Sequence, residues 1–178
     1  MPTYRRRAAR RRYHWPEVQL NIWLITVLAG SGTCLGIFAW FMAVQSQLHL
    51  GTPWLFPFMT VTGALGVVFV LAILILAAQR FLLPGIIIIG SFVLFALWLT
   101  GLIETGLQLY GVQANVYSTC QDYVADMPYS GNTVEALAWL TQSNICNCWK
   151  AAFAFELINT IFYFWMMIMS WQVHRDAN

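Results

Sequence analysis

Four long stretches with few or no charged side chains dominate this sequence. Residues 18–44 contain no charge at all, and similar stretches follow at 53–79, 84–110 and 149–172. An α-helix rises about 1.5 Å per residue, so each stretch is long enough to cross a hydrocarbon core of about 30 Å. Only 9% of all residues are charged, against about a quarter in soluble domains. The sequence therefore predicts an all-α membrane protein whose core is a four-helix transmembrane bundle.

The domain organisation follows from these spans. We expect a basic arm at residues 1–17, a four-span transmembrane domain at 18–173 and a short tail at 174–178. The longest connection is 111–148, and its segment from Asn132 to Glu135 resembles a capping box ahead of an apolar, roughly helical pattern. This pattern predicts a short amphipathic extramembrane helix that lies on the bundle. No hydrophilic stretch is long enough for a separate soluble catalytic domain.

Basic residues near the span ends predict the orientation, because positive charge is retained on the cytoplasmic side. In a four-span arrangement the arm, Arg80 and Arg175 fall on one side of the membrane. We therefore expect cytoplasmic termini in a plasma membrane or secretory-pathway membrane. The arm should also attract anionic lipids, at about 1 kcal/mol per basic residue, whereas nucleic-acid binding is not expected. Its basic residues are Arg5, Arg6, Arg7, Arg10, Arg11 and Arg12.

Three cysteines lie in the long connection, on the side predicted to be oxidising. We expect one disulfide, from Cys120 to either Cys146 or Cys148, which closes a loop of about 25 residues and contributes ~3 kcal/mol. The alternative is redox chemistry at Cys146 and Cys148, which would make the protein a membrane thiol oxidoreductase. Four-helix enzymes that couple disulfides to quinones use a CxxC pair, and that spacing is missing here.

Two glutamates lie inside the predicted spans, where a carboxylate is costly and needs a partner. Glu104 and Glu156 both fall roughly 10 Å from the outer boundary, with Gln108 and Asn159 on the same respective faces. These four residues form a predicted intramembrane polar cluster. One interpretation is a site for a cation, a proton or a lipid headgroup, in a transporter, channel component or ion-linked sensor. The other is structural: the side chains hydrogen-bond between helices, or Lys150 neutralises one carboxylate.

Small residues recur at four-residue spacing in the first two spans. Gly32 and Gly36, and likewise Thr62 and Gly66, match the pattern that lets helix backbones approach closely. We expect both pairs to pack inside the bundle, with contact between two copies of the chain as the alternative. No haem, zinc or nucleotide motif is present, so catalytic residues, a metal site and a cofactor are not expected.

The arrangement as a whole resembles the MARVEL-type tetraspan family, especially its small fungal members. The resemblance covers a short first outer loop, a tight inner turn, a longer second outer loop with cysteines, and the cysteine-then-aromatic entry to the last span from Cys146 to Phe153. It implies membrane organisation, lipid apposition or trafficking rather than catalysis. We therefore expect a non-enzymatic scaffold or an accessory subunit of a membrane complex. Its partners would be membrane lipids, other membrane proteins or a second copy of the chain.

Overall fold

The computed structural model describes residues 17–47, 49, 51–79, 84–111, 116–122 and 134–176, and the regular structure in these ranges is entirely helical. The helices are α1 (Glu17–Gln47), α2 (Leu55–Ala78), α3 (Pro84–Tyr110), α4 (Val116–Cys120) and α5 (Val134–Asp176). The arginines of the predicted basic arm, Arg80 and the last two residues of the tail lie outside the described residues.

Helices α1, α2, α3 and α5 are each long and apolar enough to cross a membrane. The main contacts join α3 to α5 and α1 to α2, and further contacts join α1 to α5 and α2 to α3. In lipid the apolar faces gain little by burial, so close packing and polar contacts hold such helices together. The predicted all-α, four-helix transmembrane bundle is confirmed, and the third span has the predicted bounds.

The fourth span belongs to one continuous helix of 43 residues. A helix does begin near the predicted capping box, at Val134, but it runs without interruption through Trp149 into the membrane. The expectation of a separate helix lying on the bundle is therefore wrong. The reason is that residues 134–176 contain no glycine or proline to end the helix. Residues 134–148 instead extend α5 by roughly 22 Å beyond the predicted span.

The short helix in the long connection is α4, and a disulfide fastens it to α5. Cys120, the last residue of α4, is bonded to Cys146 of α5, with 5.8 Å between their Cα atoms. Of the two predicted pairings this is the one formed, and Cys148 is a free, half-buried thiol. We call this end of the bundle the disulfide end. The opposite end, where α1 begins and α5 ends, is the termini end.

An aromatic cluster fills the bundle interior near the disulfide end. It consists of Phe38 and Phe41 of α1, Phe56 of α2 and Trp149 of α5, all at most 9% exposed. The contacting rings have centroids 5.4–6.4 Å apart. Such pairs contribute about 0.5–1.5 kcal/mol each beyond their buried area. The cluster therefore joins three of the four spans directly.

Glycines on α2 allow close contact with α1. A Cβ atom added at Gly63 would lie 3.0 Å from the backbone oxygen of Ser31, and one added at Gly66 would lie 2.5 Å from the Ser31 Oγ. Thr62 is also buried. The expectation that Thr62 and Gly66 pack inside the bundle agrees with this geometry.

The matching expectation for α1 is wrong. Gly32 and Gly36 lie on the exposed side of the helix, and no atom comes within 4 Å of a Cβ added at either position. The side of α1 that packs inward carries Gly30, Ser31 and Cys34. A four-residue spacing identifies residues that share a face but does not tell which face is buried.

Candidate functional site

Glu156 is the carboxyl group that the bundle encloses. Its side chain is completely buried, and its Oε1 accepts a hydrogen bond of 3.0 Å from Thr105 Oγ1 on α3. Its Oε2 has no hydrogen-bond partner. The hydroxyl of Thr160 donates to the main-chain oxygen of Glu156, at 2.7 Å, and so satisfies the backbone of α5 rather than the carboxyl group. A polar group inside the bundle thus retains one unsatisfied oxygen.

Asn159 lies one helical turn further along α5 and is also completely buried. Neither its amide nitrogen nor its oxygen has a hydrogen-bond partner. Its carboxamide lies against Gly30 of α1, so closely that a methyl group at Gly30 would overlap it. Residues three apart on a helix are neighbours on its surface. Glu156 and Asn159 therefore form a pair of adjacent buried groups with spare hydrogen-bonding capacity.

Polar positions recur every seven residues on the contacting faces of α3 and α5. These positions, all fully buried, are Ser91, Trp98 and Thr105 on α3 and Glu156, Tyr163 and Ser170 on α5. The antiparallel register pairs Thr105 with Glu156 and stacks the Trp98 ring on that of Tyr163 at 6.5 Å. Seven residues are about two turns, so each set of three keeps to one face over roughly 21 Å. A polar seam therefore runs through much of the bundle.

Residues of α1 and α2 contribute to the middle of this polar seam. The Tyr163 hydroxyl and the Ser31 hydroxyl both face Gly66, since a Cβ added there would lie 3.0 Å from the first and 2.5 Å from the second. The missing side chain at Gly66 therefore creates the space that these hydroxyls share. Toward the disulfide end the aromatic cluster occupies the bundle interior. Cys34 of α1 contacts α5 in the same part of the bundle, with its Sγ 3.8 Å from the Ala152 oxygen.

The predicted polar cluster is only partly formed. Thr105, which contacts Glu156, is the neighbour of Glu104 in sequence, so the two glutamates lie at the same depth. Consecutive residues on a helix point about 100° apart, and Glu104 and Gln108 are both only half-buried. The structure therefore keeps Glu156 beside the predicted Asn159 on α5, and Thr105 of α3 takes the place of Glu104 and Gln108. Sequence reasoning missed Thr105, although its seven-residue spacing from Trp98 was a usable signal.

The other predicted partner of a buried carboxylate lies elsewhere. The ammonium group of Lys150 is 5.6 Å above the ring of Tyr117 in α4, a cation–π contact on an exposed surface. The expectation that Lys150 neutralises a glutamate has no support in this geometry. Lys150 therefore supplies no counter-charge to Glu156.

The cysteines offer no preformed redox pair. Cys146 is bonded to Cys120 rather than to Cys148, so the CxC spacing is not used for a disulfide. Cys34 is a buried free thiol on α1. Within the ranges that the structure describes, no group of three or more His, Cys, Asp or Glu side chains is arranged to hold a metal ion.

These features define the class of the protein. It is an integral membrane protein of four helical spans, with a disulfide at one end and a buried polar seam between α3 and α5. No known protein family, curated protein or solved structure matches the chain.

Proposed function

We propose that this protein is a non-enzymatic membrane scaffold that organises membrane lipids or partner proteins, alone or as an accessory subunit of a larger complex. The observation that supports this most is the outward-facing apolar surface of every span. Between 28% and 39% of the most apolar window in each span is buried inside the bundle. Most of the span surface is thus available to lipid tails or to the apolar faces of other membrane helices.

Large side chains make up this surface. Ile25 on α1, Val68 on α2 and Ile89 on α3 are each more than 60% exposed. Contiguous exposed apolar surface of this kind indicates interaction with lipid or with other proteins. Its presence on three different helices favours contacts around the bundle over a single docking face.

The resemblance to MARVEL-type tetraspan proteins supports the same proposal, because that family organises membranes. In this arrangement both termini are cytoplasmic, in the plasma membrane or a secretory-pathway membrane, and the arginine arm binds anionic headgroups. The disulfide end then faces the oxidising side, where a bond between Cys120 and Cys146 is stable. Self-association through exposed faces is compatible with this arrangement, whereas nucleic acid has no place in it.

Extraction of the protein in a patch of its native membrane tests the scaffold function. The copurified lipids and proteins would be identified and compared with those around an unrelated four-span protein from the same membrane. We expect a reproducible enrichment of particular lipids or of one partner. The bulk lipid composition without any enriched protein would refute the proposal, as would movement of a solute by the purified protein alone in liposomes.

A matched pair of variants separates a protein partner from lipid. Cys120→Ser releases α4 from α5, whereas Cys148→Ser removes a thiol that is free and leaves the disulfide intact. A protein partner bound at the disulfide end should be lost from the first variant and kept by the second. Lipids bound along the spans should copurify with both.

A second candidate function is favoured by one observation, the unsatisfied oxygen of Glu156. Buried intramembrane carboxyl groups often belong to ion or proton pathways, so a transporter or channel component or an ion-linked sensor is the alternative. It predicts that Glu156→Gln abolishes activity in liposomes or in cells without lowering the amount of folded protein. Glu104→Gln is the matched control, because Glu104 lies outside the polar seam.

A further inference from the structure

The environment of Glu156 leaves its carboxyl group incompletely satisfied. One oxygen accepts from Thr105 and the other has no partner, although the side chain is fully buried. An isolated carboxylate in an apolar interior is very costly. The ionised group therefore needs hydrogen-bond donors or a positive charge close to it, and without either a proton must be bound to it.

The helices around Glu156 supply no fixed positive charge. Helices α1, α2 and α3 contain no Lys or Arg in their described ranges, and α2 has no titratable side chain at all. The titratable groups around it are Cys34 on α1, whose Sγ lies 3.8 Å from the oxygen of Ala152, one turn before Glu156, Glu104 beside Thr105 on α3, and Tyr163 two turns along α5. On α5 itself, Lys150 contacts Tyr117 instead, and Arg175 is nineteen residues away, roughly 28 Å along the helix.

The side chain of Asn159 can form a hydrogen bond with a carboxyl group whether that group is protonated or ionised. A carboxamide carries one oxygen that accepts and one nitrogen that donates hydrogen bonds. Its oxygen can accept from a protonated carboxyl group, and after rotation about its last side-chain bond its nitrogen can donate to a carboxylate. Both atoms are buried without partners, and the residue lies one turn from Glu156. A hydrophobic residue at this position would serve neither state.

We propose that Glu156 is a proton-binding site inside the bundle, whose proton exchanges with solvent while the protein stays folded, and that Asn159 is the positioning residue that satisfies both charge states. The step is a simple acid–base equilibrium: the O–H bond at Oε2 breaks and the proton passes to water. This inference is independent of the scaffold proposal, because it concerns one equilibrium in the bundle and needs no transported solute.

Infrared difference spectroscopy on the full chain in lipid nanodiscs tests the proposal. Protonated carboxyl groups show a carbonyl stretch that carboxylates lack. All seven Asp and Glu side chains show this stretch when protonated, so the Glu156 band is defined as the part that Glu156→Gln removes and Glu104→Gln retains. In the wild type the Glu156 band should be present at low pH, disappear as the pH rises and shift in deuterated buffer. The proposal is overturned if the Glu156 band stays constant over the pH range in which the bundle is folded, is insensitive to deuterium, or is absent at every pH.

Two further variants keep the test decisive if Glu156→Gln does not fold. Thr105→Val removes the hydrogen bond to the carboxyl group and should shift the frequency of the band in an otherwise intact spectrum. Asn159→Leu should shift the frequency and also change the pH at which half of the band is lost. Asn144→Leu, on an exposed part of α5, is the matched control and should change neither. If Thr105→Val leaves the band unmoved, the assignment to Glu156 is refuted, and an unchanged Asn159→Leu spectrum refutes the positioning role.

Discussion

The contact between α1 and α2 yields a quantitative prediction for Gly63→Ala. The added methyl carbon would lie 3.0 Å from the Ser31 oxygen, 3.1 Å from Leu35 Cβ and 3.2 Å from the Leu35 nitrogen. Carbon atoms in contact are best separated by about 3.5–4.0 Å, so the two helices must move apart by roughly 0.5 Å. Two of the three neighbours are backbone atoms, which cannot turn aside as a flexible side chain would. Overpacking of this kind costs about 1–3 kcal/mol.

Gly32→Ala is the matched control for this substitution. It makes the same chemical change in the neighbouring helix, at a position where nothing lies within 4 Å of the new atom. Alanine favours a helix over glycine by up to about 1 kcal/mol, and this gain is common to both variants. The difference in unfolding free energy between Gly63→Ala and Gly32→Ala therefore isolates the packing term, at about 1–3 kcal/mol.

Reversible unfolding in mixed micelles, followed by circular dichroism as the denaturing detergent increases, measures this difference. We expect Gly63→Ala to unfold at a lower fraction of denaturing detergent than the wild type, and Gly32→Ala at an equal or higher fraction. Equal behaviour of the two variants would show that α1 and α2 are not in contact at Gly63. A greater loss for Gly32→Ala would show that α1 presents its opposite face to the bundle.

Three further predictions use the same unfolding measurement. Thr105→Val leaves a buried carboxyl oxygen of α5 without its donor and should cost about 1–3 kcal/mol, whereas Thr100→Val, at an exposed position, should stay within about 0.5 kcal/mol of the wild type. Cys120→Ser should lower stability by about 3.5 kcal/mol on the chain-entropy model, for a sequence separation of 26 residues. Cys148→Ser should have little effect, and a reducing agent should abolish the difference between these two. Trp149→Ala removes the α5 ring from the aromatic cluster and should cost about 3–5 kcal/mol; a loss below about 1 kcal/mol would contradict that packing.

The position of each residue along the membrane normal could be predicted from the sequence. Helix rise is fixed at about 1.5 Å per residue, so counting from the span ends placed Glu104 and Glu156 at one depth, as the contact of Thr105 with Glu156 bears out. The bounds of α3 agree with the predicted span for the same reason. Depth depends only on local apolar length, which the sequence contains in full.

The rotation of each helix about its axis could not be predicted in the same way. Each of three predicted interior residues lies at a suitable depth, but Gly32 and Gly36 are exposed and Glu104 is only half-buried. In a membrane both the lipid-facing and the buried side of a helix are apolar, so the contrast that orients a helix in a soluble protein is weak. In α3 the buried face can still be recognised by its polar residues at seven-residue spacing, such as Trp98 and Thr105.

The pairing of the disulfide could not be predicted from the sequence either. The three candidate cysteines could be predicted from their place in the long connection, but the choice of Cys146 over Cys148 could not. Side chains that are two residues apart on a helix point in clearly different directions. Only the placement of α4 beside α5 selects between Cys146 and Cys148. That choice depends on the continuous helix from Val134, which the sequence-based prediction divided in two.

The two charge states of Glu156 have different consequences for the helices around it. Thr105 bonds to Oε1 and can donate in either state, whereas Asn159, in the proposed role, has to accept a hydrogen bond in one state and donate one in the other. The Asn159 carboxamide has little room for this change, because it lies against Gly30 of α1. Gly30→Ala crowds the carboxamide without altering the carboxyl group, so it should change the pH at which the protonated-acid band is lost. An unchanged pH would mean that Glu156 exchanges its proton without any coupling to the packing of α1 on α5.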